Sequence, residues 1–123
     1  MLPRFSLVLA LLALFVAAPR VADAVLPPSH TKKRAEVNVL RVVPRKWAPS
    51  RLPGLVNRRT HLLVDNTEAV CYGHGPRRAG NRYARFLCVV RPHVHTPRQG
   101  LYVSYRVLAR GRFRIQWLAY RRH

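Results

Sequence analysis

Residues 101–119, LYVSYRVLARGRFRIQWLA, decide the fold class. Leu101, Val103, Tyr105 and Val107 alternate with Tyr102, Ser104 and Arg106. Phe113, Ile115, Trp117 and Ala119 alternate with Arg112, Arg114, Gln116 and Leu118. A period of two belongs to a strand with one buried face. Ala109-Arg110-Gly111 lies between the runs, with Gly where a three-residue hairpin loop needs a left-handed residue. That turn implies a register in which Val107 faces Phe113, Tyr105 faces Ile115 and Val103 faces Trp117 on one apolar face. The opposite face sets Arg106 across from Arg114 and Ser104 across from Gln116, beside Tyr102 and Tyr120. Two like charges directly opposed weaken a hairpin slightly, which points to an anion nearby.

Working back from the hairpin, Arg91–Gly100 (RPHVHTPRQG) reads as a loop and Tyr83–Val90 as a strand. Ala84, Phe86, Cys88 and Val90 share one face of that strand, and Arg85 and Arg91 the other. Gly73–Arg82 (GHGPRRAGNR) is a loop, rich in glycine and arginine. In Leu62–Tyr72 (LLVDNTEAVCY), Asp65-Asn66 could turn a hairpin between 62–64 and 68–72. Asp65 and Glu68 could instead form a capping box. A strand ending at Cys71-Tyr72 is the preferred reading. Pro44, Pro49 and Pro53 rule out one long helix over 44–63, but Leu52, Leu55, Val56 and Leu63 fall near helical spacing. A short helix near 51–62 is expected, with Ser50 as a possible N-cap. Glu36–Val43 (EVNVLRVV) is β-branched and closes at Pro44, so it is expected to be the first strand. No internal repeat is present. The resulting fold class is α+β, mainly β: an antiparallel sheet of four or five strands ending in a C-terminal hairpin, with one short helix or ordered loop packed on it.

The front of the chain reads as an export signal. Met1–Arg4 is basic, Leu7–Ala18 (LVLALLALFVAA) is an apolar run, and Ala22-Asp23-Ala24 offers a peptidase site. A membrane-spanning helix needs about 20 apolar residues, and this run of 12 ends at Pro19-Arg20. The expected organisation is a signal peptide over 1–24, a flexible basic leader over 25–35 and a single domain over 36–123. No membrane span is expected after cleavage. Cys71 and Cys88 are the only cysteines, and an exported chain meets an oxidising compartment, so a disulfide between them is expected. It would pin the base of the loop 73–82.

The chain carries 23 Lys plus Arg against 4 Asp plus Glu, a formal net charge of +19. Past residue 24 the only carboxylate side chains are Glu36, Asp65 and Glu68, and the only lysines are Lys32, Lys33 and Lys46. Three carboxylates can neutralise few of these cations, so the surplus faces solvent and attracts polyanions. Arginine also offers a planar fork that grips phosphate and carboxylate in a bidentate manner. The charge is larger than solubility requires, although arginine-rich codon usage would produce the same composition. Two groups form the candidate anion site. Arg77, Arg78 and Arg82 lie on the glycine-rich loop, and Arg106, Arg112 and Arg114 lie on the outer face of the hairpin.

Catalytic motifs are absent: there is no P-loop, no Rossmann glycine pattern, no G-x-S-x-G and no H-E-x-x-H. His93 and His95 form H-x-H, but a closed metal site wants four ligands and no spacing groups these two with His61, His74, Asp65 or Glu68. No cofactor or metal is expected. Glu68 with His61 or His74 is the one acid–base pair that can be nominated for a nuclease, and no pattern supports it. The sequence therefore predicts a secreted, non-enzymatic, strongly cationic domain that binds polyanions: envelope phosphate polymers, acidic glycans or, without sequence preference, nucleic acid. Two alternatives remain. The first is a protein-interaction or inhibitor module docking an acidic surface through loop 73–82. The second is a cryptic nuclease or metal-binding activity. The oligomeric state is not legible from sequence.

Overall fold

The computed structural model describes residues 28–122. The expected signal peptide over 1–24 lies outside the described residues. The elements are β1 (His30–Thr31), α1 (Lys32–Lys46), a 3₁₀ turn (Pro49–Arg51), β2 (Glu68–His74), β3 (Arg82–Tyr83), β4 (Arg85–Arg91), β5 (Gly100–Val107), a second 3₁₀ turn (Ala109–Gly111) and β6 (Phe113–Arg121). The fold class is the expected one: α+β, mainly β. Four strands form an antiparallel meander in the order β2-β4-β5-β6, and β1 pairs with β3 in a separate two-stranded ribbon.

The hairpin adopts the expected register. Val107 pairs with Phe113, Tyr105 with Ile115, Val103 with Trp117, Arg106 with Arg114 and Ser104 with Gln116. Its loop uses two left-handed residues, Arg110 (φ 62) and Gly111 (φ 72). The register then shifts by one, so that Tyr102 pairs with Ala119 and Leu101 with Tyr120. Leu118 is the extra residue of a β-bulge, and the faces exchange beyond it. Tyr120 therefore lies on the core side, where its hydroxyl donates to the Pro53 carbonyl. This corrects the expectation that it stands beside Tyr102 on the outer face.

Residues 36–43 are helix rather than strand, which is the largest departure from the sequence reading. Ala35, Val39 and Val43 recur every four residues and are all fully buried, whereas Val37, which a strand would have placed beside Val39, is 55% exposed. The inner face of the sheet supplies the reason. Phe86, Cys88, Val90, Leu101, Val103, Tyr105, Val107 and Ile115 need a cover, and α1 provides it in one continuous core. Burial of that stripe outweighs the modest helix penalty of valine. The Thr31 side chain caps the helix by accepting from the Arg34 N–H at 3.3 Å. Pro44 is tolerated in the last turn, and the Trp47 N–H still reaches the Val43 carbonyl. Of the flexible leader expected over 25–35, residues 30–35 are ordered structure, because His30–Thr31 pairs with Tyr83 and Arg82 and the helix begins at Lys32, and residues 25–27 lie outside the described residues.

The helix expected over 51–62 does not form. Pro53 and Gly54 (φ 83) follow the 3₁₀ turn, and the chain folds back so that Val56 bridges Leu63. Leu52, Leu55 and Val56 are nonetheless buried. The Val64 N–H bonds to the Leu55 carbonyl, so 62–64 pairs with this segment and not with 68–72. The hairpin at Asp65-Asn66 is likewise absent, and the partner of β2 is β4.

Cys71 and Cys88 are directly opposite on β2 and β4 and are disulfide-bonded, with both residues fully buried. One step along β2, Gly73 lies under the Tyr83 ring, and a Cβ there would run into three ring atoms. Gly73→Ala is expected to destabilise the domain by about 1–3 kcal/mol, the range for overpacking. Urea unfolding is the check, and an unchanged midpoint would show that Tyr83 can swing aside.

Candidate anion-binding face

The helix α1 covers one face of the sheet, and the strand registers place the cations on the other. His74 on β2 pairs with Arg85 on β4. Arg85 pairs with Arg106 on β5, and Arg106 with Arg114 on β6. The result is a row of four side chains, one from each strand, running straight across the sheet. Directly opposed residues have Cβ atoms about 5 Å apart, so the three arginines are held within reach of a single polyanion chain. All four are exposed.

Among the described residues no carboxylate interrupts the row. Glu36 points from α1 to the β2 edge, where it accepts from the Cys71 N–H at 2.9 Å and lies 3.5 Å from Lys32 Nζ. Asp65 is in the 65–66 turn. Glu68 is at the far end of β2, where it accepts from Arg91 Nε at 2.8 Å. That hydrogen bond is the main reason the Glu68 carboxyl is held below its ordinary pKa.

Two hollows flank the row and share His74, Arg85 and Arg106. One, of about 540 Å³, is closed by Arg78, Pro28, Pro76 and the hairpin loop. Its size falls within the range of ligand clefts. The other opens toward Leu87, Ser104 and Gln116.

The six arginines expected to bind anions are thus distributed unevenly. Arg106 and Arg114 are in the row, and Arg78 lines the hollow beside it. Arg112 lies just outside β6, in the hairpin loop. Arg77 is exposed on the loop. The Arg82 guanidinium is turned to the N-terminal segment, donating from Nε to Ser29 Oγ at 3.1 Å and from Nη2 to the Ser29 carbonyl at 2.7 Å. Arg85 and His74 are the members that the sequence reading left out. The alternation of β4 had already placed Arg85 on the outer face, but only the β2–β4 and β4–β5 registers join it to the others.

The groups nominated for catalysis or metal binding are not assembled in this way. Glu68 and His74 occupy opposite ends of β2, about 20 Å apart at the rise of an extended strand. His95 Nε2 lies 3.8 Å from a Glu68 oxygen that Arg91 also engages. Among the described residues no group of three or more His, Cys, Asp or Glu side chains is placed to hold a metal ion.

A second polar cluster is buried and escaped the sequence reading altogether. His30 is 2% exposed, with Nδ1 at 2.6 Å from the Tyr105 hydroxyl. Asn38 Nδ2 donates to the same oxygen at 2.9 Å, and Arg41 Nη2 donates to Asn38 Oδ1 at 3.2 Å. Burial, reinforced by the charges of Arg34 and Arg82, holds the His30 imidazole below its ordinary pKa of 6.5. Burial also pushes the Tyr105 hydroxyl up. This cluster ties β1 and α1 to β5.

No helix among the described residues is long and apolar enough to cross a membrane. Comparison with protein-family models, with curated proteins and with solved structures returns no match.

Proposed function

We propose that the protein is an exported, non-enzymatic domain that binds polyanions through the outer face of its sheet. The single observation that carries this reading is the unbroken row His74–Arg85–Arg106–Arg114. Like charges directly opposed across strands each cost a few tenths of a kcal/mol, so the row stores a repulsion that a bound anion relieves. Past residue 24 the chain keeps 21 Lys plus Arg against three carboxylates, a charge of +18 that draws the ligand in, and the row gives it a defined track. Export is supported by the basic and apolar front of the chain and by the disulfide.

Replacing Arg85, Arg106 and Arg114 by alanine tests the assignment. Binding to polyphosphate and to single-stranded DNA is measured across a salt series. Each phosphate contact contributes roughly 0.7 to the log–log salt slope for a single strand, so the triple variant is expected to lose about 2 from that slope. The companion variant at Arg77, Arg78 and Arg82 is expected to change it less. An unchanged slope in the first variant together with a large loss in the second would move the site to the loop. The loop would then also become the better candidate for docking an acidic protein.

A further inference from the structure

Beyond its cations, the outer face carries an apolar belt. One step along the strands from the arginine row lie Tyr72, Leu87, Ser104 and Gln116. The next step brings Val70, Val89, Tyr102 and Ala119, with Leu118 inserted at the bulge. Tyr72, Leu87 and Leu118 are 55%, 44% and 53% exposed. Leu87 and Leu118 line one shallow hollow with Tyr102, Arg98 and Arg121. The Arg121 guanidinium sits 5.8 Å from the Tyr102 ring centre. Along the strand direction the face therefore runs from cations to an apolar belt to cations again, with Glu68 at the β2 corner of that far end paired to Arg91. Six residues of β5 separate Arg106 from Gly100, the partner of Arg121, which is a span of about 20 Å. The helix α1 lies against the opposite face. Contacts on this one are made at its margins, where Lys32 Nζ lies 5.4 Å from the Tyr72 ring centre and the Tyr102 hydroxyl donates to the Arg98 carbonyl at 2.8 Å.

We infer that this face docks flat on an anionic lipid bilayer. Leu87, Leu118 and Tyr72 enter the boundary between headgroups and acyl chains. Arg85, Arg106 and Arg114 meet lipid phosphates at one end of the face, and Arg98 and Arg121 meet them at the other. The inference rests on the polyanion reading, since the same arginines are used, and it names the ligand. A soluble polymer satisfies the cations but leaves three half-exposed apolar side chains in water. The surface of an anionic membrane takes both at once, apolar groups at the boundary and basic groups at the phosphates. A second copy of the chain would also cover the apolar belt, but face-to-face docking would set arginine rows against a like-charged surface.

The test is co-sedimentation of the oxidised protein with large vesicles of phosphatidylcholine alone and of phosphatidylcholine mixed equally with phosphatidylglycerol. Salt is held at roughly 100 mM, where screening acts beyond about 10 Å. Polyphosphate binding is measured in parallel. The second protein is Leu87→Gln with Leu118→Gln, which removes apolar surface without changing charge. The expected result is binding to the anionic vesicles only, weakened about tenfold in the glutamine variant, whose affinity for polyphosphate is unchanged. The inference is overturned if the native protein binds polyphosphate but not the anionic vesicles. It is also overturned if the glutamine variant binds those vesicles as well as the native protein does. Loss of single-stranded DNA binding in the variant, with no vesicle binding by either protein, would overturn it in favour of base stacking on the belt. If neither polyphosphate nor vesicles bind, the polyanion reading itself fails.

Discussion

Replacing Cys71 and Cys88 together by alanine is expected to lower the unfolding free energy by about 3 kcal/mol, the loop-closure contribution for a bridge of this span. The two cysteines are 17 residues apart in sequence, and the segment between them holds the loop 75–81, shorter than the expected 73–82 because Gly73 and His74 belong to β2 and Arg82 to β3. Without the bridge, that loop explores far more conformations in the unfolded chain. The folded state also depends on the bridge locally. In the four-stranded sheet β2 is an edge strand, held by the β4 ladder, by the packing of α1 and by the Tyr83 ring of β3 over Gly73. A domain of this size has only some 5–15 kcal/mol of stability to lose. At about 4–8 °C per kcal/mol, the melting temperature should fall by roughly 12–24 °C. Both cysteines are fully buried, so a reductant should act on the native protein only as fast as β2 opens. Thermal unfolding of the double variant and mass-resolved thiol labelling under reductant are the measurements. A fall of less than about 1 kcal/mol would show that the ladder and the helix hold β2 unaided.

The second large effect is expected at Tyr105. Its ring is stacked on Phe113 at 5.1 Å and meets Phe86 edge-on at 5.7 Å, and Tyr105→Phe preserves both contacts. What the variant removes is the hydroxyl, which leaves His30 Nδ1 and Asn38 Nδ2 buried without it. Each orphaned buried polar group costs about 1–3 kcal/mol, so for the two a loss of about 2–6 kcal/mol is expected in urea unfolding. Asn38 donates to the hydroxyl, and the hydroxyl proton is then best placed on Nδ1 of a neutral imidazole. Protonating His30 would break that arrangement and put a third cation near Arg34 and Arg82.

The sign of the pH dependence follows from the lowered His30 pKa. The unfolded chain takes up the proton first as pH falls, so stability is intact above about 6.5. It declines as pH drops through 6.5 toward the lower folded value, and it levels off below that. Melting temperatures between about pH 8 and pH 5 should show this limb, and His30→Gln should flatten it. Parallel profiles for the two proteins would exclude His30 as the cause. Glu68 does not obscure the result. Its depressed pKa contributes stability that is present above its usual 4.5 and is lost only as pH falls below that value.

The rest of the molecule divides between what adjacent residues determine and what distant ones impose. Two strands joined by a three-residue turn have one sensible register, so Arg106 opposite Arg114 was legible from the run LYVSYRVLARGRFRIQWLA. The disulfide was legible because two cysteines have one possible pairing, and the front of the chain reads as an export signal to an oxidising compartment. The segment EVNVLRVV was not. Its valines satisfy a period of two and a period of four, and the choice fell to the apolar sheet face that needed Ala35, Val39 and Val43 as its cover. The bulge at Leu118 was also hidden, because an extra residue leaves no mark on the alternation before it.

The sequence by itself determined the class of fold, the C-terminal hairpin and its register, the cysteine pair and a surface dominated by arginine. Those properties depend on composition or on neighbours a few residues apart. Only the tertiary structure decided that Arg85 and His74 join Arg106 and Arg114 in one row, that Arg82 is turned to Ser29, and that His30 lies buried against Tyr105. Each of these joins residues brought together by pairing or packing between distant segments, and the core selects such pairings as a whole.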